Sequence, residues 1–135
     1  MKTYLYALAA VVCLLIAHVV GSTLNLYVRT NFYDIPMHIL GGFGLGLFFT
    51  ALILSTQKKN IRARAVVILC VFIAGVIWEL FEAYYNIAGY PVGTKLYWID
   101  TVKDVVDDII GGSIAAWAMS ARLASGATAS TTQTQ

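Results

Sequence analysis

Eight side chains in this sequence have the types and spacing to do chemistry: Asp34, His38, Glu79, Glu82, Asp100, Asp104, Asp107 and Asp108. The last four lie in the run DTVKDVVDDIIGG, where they recur at helical offsets of four, seven and eight residues. At about 100° per residue they occupy an arc of roughly 100°. They share one face. The remaining acids, Asp34, Glu79 and Glu82, complete the chain's seven, and each sits at or inside an apolar stretch rather than in a connecting loop. Glu79 and Glu82 are three apart and neighbours on a helix; His38 stands one turn after Asp34. Six or seven carboxylates and an imidazole in a low dielectric cannot all stay ionised without a neutralising partner. A divalent cation is one solution, and the oxygen-rich ligand set favours Mg²⁺, Mn²⁺ or Ca²⁺ over zinc. Protons shared between carboxyls are a second, and pairing with Lys103 or Lys95 a third. A bundle-type di-iron centre wants two Glu-x-x-His pairs, whereas this chain offers Glu-x-x-Glu.

The elements that must position these groups are membrane helices. Of the 135 residues 59% are hydrophobic and 12% charged, against about 25% charge in soluble domains. At about 20 residues per span, four helices consume most of the chain, so the expectation is one all-α, polytopic four-helix bundle over residues 1–123. The first helix is expected over residues 4–27, retained rather than cleaved, with His18 making an interhelical hydrogen bond. Asp34 and Pro36 suit the start of the second. The third is expected over residues 65–88 and the fourth over 100–123. Residues 124–135, rich in Ser, Thr and Gln, are expected to form a disordered tail.

Lys58, Lys59, Arg62 and Arg64 make the densest basic cluster. Such loops stay cytoplasmic, which puts both termini inside and all the acids in the outer leaflet of a multi-pass cytoplasmic (inner) membrane protein. Three segments then converge on one layer. Asp100 and Asp104 are also read as capping or dipole-complementing residues, a reading that does not reach Asp107, Asp108 or Glu79. Gly42 and Gly46 have the small-xxx-small spacing of close helix packing, within the bundle or as a seam between two copies. Cys13 and Cys70 lack metal-site spacing, and the net charge of +2 carries no nucleic-acid signature.

The elements FYDIPMHILGG, WELFE and IDTVKDVVDDIIGG resemble the YjdF-type family of small bacterial inner-membrane proteins and, more distantly, the VanZ-like proteins. The resemblance runs from Phe32 to Gly112. It implies a shared polar site in which Asp34, His38, Glu79, Glu82, Asp100, Thr101 and Asp104 take the family's positions, and it implies an envelope setting. The sequence reading is therefore a membrane protein whose Glu79, Glu82, Asp104, Asp107 and Asp108 hold a divalent cation, with Asp34 and Asp100 as further polar groups. Membrane lipid is the expected partner, including a polar or phosphorylated headgroup. If the protein is an enzyme acting on a lipid-linked substrate, His38 is the acid or base. A proton- or cation-coupled carrier and an assembly subunit are the alternatives.

Overall fold

A computed structural model describes residues 2–30, 32–56, 61–87 and 89–132. Among them every regular element is helical: α1 (Lys2–Thr23), the single turn α2 (Leu26–Arg29), α3 (Asp34–Thr56), α4 (Ile61–Tyr85) and α5 (Lys95–Thr132). Three are long and apolar enough to cross a membrane, over Thr3–Thr23, Asp34–Ile53 and Arg62–Tyr85. The fourth long helix, α5, is not among them, because four aspartates and Lys103 crowd its first half. Lys58 and Lys59, on which the orientation argument leans, lie outside the described residues, as do Ala88 and residues 133–135.

Helix ends differ from the sequence expectation for identifiable reasons. The first helix stops at Thr23 because Asn25 adopts a left-handed backbone (φ 53), which asparagine tolerates better than other side chains. Asn86 (φ 54) ends α4 in the same way. Its N–H donates to the Ala83 carbonyl and the Ile87 N–H to the Glu82 carbonyl, the paired bonds of a Schellman motif. The fourth helix begins at Lys95, five residues before Asp100. Thr94 is its cap: Oγ1 accepts the Tyr97 N–H at 3.2 Å, after a turn in which Gly93 takes φ +86. Asp100 is thus not a capping residue; it lies in the second turn, and Asp107 and Asp108 lie more than three turns in. At its other end α5 is described through Thr132, past the Leu123 at which the sequence pattern places its end.

α3 is the central helix. It packs most extensively on α5, then on α1, and α4 lies against both α5 and α3. Glycine sets the α3–α5 approach. A Cβ on Gly42 would collide with the Asp108 carbonyl oxygen, and one on Gly111 with the Ile39 carbonyl oxygen; a Cβ on Gly46 would come 2.8 Å from Gly112 Cα. Backbones that close gain dispersion and Cα–H···O contacts, which drive helix association in lipid where the hydrophobic effect does not. The face offered by Gly42 and Gly46 is therefore filled by α5 of the same chain. Beyond this crossing, Leu47, Ala115 and Met119 join Ala7 and Ala10 of α1 in a buried apolar layer.

α5 is patterned inside out. Asp104, Asp107 and Asp108 face inward and are buried, while Val102, Val106, Ile110, Ile114 and Trp117 are exposed at helical spacing. α1 likewise exposes Leu5, Leu8, Leu15, Ile16 and Val19. Water would favour the reverse arrangement, whereas acyl chains favour this one.

Candidate metal centre

The local sequence places the site at the start of α3. Asp34 is its first residue, Pro36 sits in the first turn where its missing N–H costs nothing, and His38 follows Asp34 by one turn. α5 crosses here with Asp104 and Asp108, themselves one turn apart, on either side of the imidazole. His38 Nε2 is 3.6 Å from Asp34 Oδ1 and 3.9 Å from Asp104 Oδ1; Nδ1 is 3.5 Å from Asp108 Oδ1. The ring is 8% exposed and Asp104 2%. One nitrogen thus looks toward two carboxylates and the other toward a third.

That division assigns roles. Asp34, His38 and Asp104 each offer a ligand atom, and the three atoms lie within 4.8 Å of one another. Asp108 Oδ1 faces the imidazole Nδ1 from behind at 3.5 Å, the carboxylate–histidine pairing that fixes a ligand's tautomer and aim. It fits there because two glycines leave room. A Cβ on Gly75 would come 2.6 Å from Asp108 Oδ2, and one on Gly41 3.9 Å from Oδ1.

Asp104 Oδ1 is buried and ion-paired with Lys103 Nζ at 3.0 Å. Glu79 Oε1 and Asp107 Oδ2 are buried and unpartnered. Thr101 lies beside the Glu79 carboxylate. Glu82, one turn further along α4, is half-buried and accepts the Trp78 indole N–H at 2.8 Å. Orphaned buried acid oxygens are costly unless a proton or cation satisfies them. Lys103 closes the flank, its ammonium 2.9 Å from Asp100 Oδ1 and 3.7 Å from Asp34 Oδ2.

Residues 1–125 match a family described as predicted membrane proteins (DUF2238). The chain belongs to that family. No curated protein and no solved structure matches it. The DUF2238 match takes in every residue of the site, from Asp34 to Asp108.

The three segments singled out in the sequence do meet, but the tightest group mixes the roles expected of them. Asp34 and His38, expected as a further polar group and an acid or base, join Asp104 as potential ligands. Glu79 and Asp108 stand beside that trio, and Glu82, Asp100 and Asp107 around it. Sequence reasoning missed Gly75. Its signal was a lone glycine one turn before Glu79 on the same helical face. A second cluster lies next to the site: the Tyr33 ring packs over Gly21 and its hydroxyl donates to the Ala17 carbonyl at 2.7 Å, with Tyr27 edge-on at 5.1 Å. Burial first, then the Asp34, Tyr33 and Glu82 charges, pushes the Tyr27 hydroxyl up to about 12. It stays protonated, and it shares a hydrogen bond with His18 Nδ1 at 2.9 Å, the interhelical bond expected of His18.

Proposed function

We propose that this DUF2238 protein is a membrane-embedded cation site in which Asp34, His38 and Asp104 hold a divalent ion, with Asp108 orienting His38 and Glu79 standing beside them. One observation carries the reading: buried His38 and Asp104 join Asp34 in a three-residue donor group within one ion's reach, beside a buried Glu79 oxygen that has no partner. Within the hard ions expected from the sequence, an imidazole ligand moves the preference toward Mn²⁺.

The same proposal makes α5 a fourth span, since its apolar stripe faces outward and its acids inward, and it puts the site in the outer leaflet, where a polar or phosphorylated lipid headgroup meets the ion. The apolar layer from Leu47 to Met119 backs the site on the other side, which supports access from one face over a carrier. The likeness to YjdF-type and VanZ-like proteins belongs here too and supports an envelope setting. Self-association through Gly42 and Gly46 does not, because α5 covers them.

The test is metal content and thermal stability of the detergent-purified chain beside Asp104→Asn, with and without chelator. Near-stoichiometric Mn²⁺ that raises the unfolding midpoint, and its loss in Asp104→Asn, is the expected result. A chain that binds no divalent ion, or whose variant binds it equally well, sinks the reading.

A further inference from the structure

Lys103 shares its partners with the proposed ion. Its ammonium lies 3.0 Å from Asp104 Oδ1 and 3.7 Å from Asp34 Oδ2, and these two residues are also the carboxylates that join His38 in the donor group. The same Asp104 Oδ1 stands 3.9 Å from His38 Nε2. An ion bound to that oxygen at the usual length of about 2.0–2.6 Å would have the ammonium as a near neighbour. Repulsion scales with the product of the charges and is little screened at this depth. The two cations cannot hold those oxygens together.

Only one of the groups can give way. The Asp104 side chain is 3% exposed, whereas that of Lys103 is 32% exposed on a flexible four-carbon stem and keeps Asp100 Oδ1, 2.9 Å away, as an alternative partner. A monovalent ion entering the site would replace one unit of charge by another and strand the ammonium beside it. A divalent ion brings a second unit, which offsets the charges of Asp34 and Asp104 together and that of the unpartnered Glu79 oxygen beside them.

We propose that Lys103 is a resident counter-cation which the bound ion displaces from Asp34 and Asp104, and that this exchange selects ions of charge two or more over sodium and potassium. The inference rests on the cation-binding reading above, and its test separates the two. Mn²⁺ is titrated into the detergent-purified full chain, wild type and Lys103→Met, in sodium chloride and in choline chloride of equal ionic strength. Lys103→Met binds Mn²⁺ about tenfold tighter or more, the scale of coupling between competing ligands, and loses that gain in sodium; wild type is indifferent to the choice of salt. Binding by Lys103→Met alone overturns the exchange, since the wild-type ammonium would then never yield to the ion. Equal or weaker binding by Lys103→Met overturns it while wild-type binding leaves the cation site standing, and absence of binding in both chains overturns both. If Lys103→Met does not fold, amine acylation of the wild type, read residue by residue by mass spectrometry, decides the matter. Mn²⁺ speeds modification at Lys103 and leaves Lys95 unchanged; an unchanged or slower rate at Lys103 refutes the displacement.

Discussion

The contact between α3 and α5 has two halves built on opposite principles. Toward Thr50 it is apolar and, the unpartnered Thr50 hydroxyl aside, saturated: Gly42, Gly46, Gly111 and Gly112 bring the backbones together, and Leu47, Ala115 and Met119 fill the remaining space. Toward Asp34 it is polar and unsaturated, with His38 among Asp34, Asp104 and Asp108 and with acid oxygens that have no partner. Gly42 is where the halves join, because it packs on the backbone of Asp108, the residue that steers His38. The lesson is that one half supplies the rigidity and the other uses it. Side chains on tightly held backbones keep their geometry even when their own interactions are unfavourable.

Substitutions that fill the saturated half break the comparison most severely. Gly111→Val drives a branched side chain into the Ile39 carbonyl and should cost on the order of 3 kcal/mol, read as loss of folded protein in detergent or a collapsed thermal midpoint. Gly75→Ala touches the junction. Its methyl group displaces Asp108 from the imidazole, so Mn²⁺ affinity falls about 10- to 100-fold, the usual effect of losing a histidine's supporting carboxylate, while the chain stays folded. In the unsaturated half the sign reverses. Glu79→Gln removes a buried charge and, in chelator, should leave the protein as stable or more so by about 1 kcal/mol, with a lower midpoint marking the charge as structural. The smallest effect is expected away from both halves, where Tyr33→Phe loses the bond to Ala17 for about 1 kcal/mol and leaves Mn²⁺ binding as it was.

Much of this arrangement was legible in the sequence, for a physical reason. Carboxylates inside apolar stretches have few tolerable environments, so Asp34, His38, Glu79 and the Asp100 series pointed toward one another before any coordinates. The glycine run was read as packing, and the packing is with α5. Which residues would make the tightest group was not legible, because periodicity gives a face and no distances; Asp34 comes to the front only because α5 crosses at the first turn of α3. The helix ends were misplaced by a few residues because Asn25 and Asn86 act as stops without a glycine or proline to announce them, and because Thr94, not Asp100, caps α5. Lys103 was considered as one of the groups able to neutralise the outermost aspartates. Its reach to Asp34 on another helix is a tertiary fact that no spacing rule contains.

The most direct test asks whether His38 touches the ion. The chain has two histidines, His18 and His38, so ¹⁵N-histidine labelling with pulsed electron paramagnetic resonance of bound Mn²⁺ resolves the question residue by residue. The account predicts a directly coordinated imidazole nitrogen in the wild type and in His18→Gln, and its disappearance in His38→Gln. Bound Mn²⁺ with no histidine nitrogen in its shell would contradict the central claim, whatever else the ion stabilised.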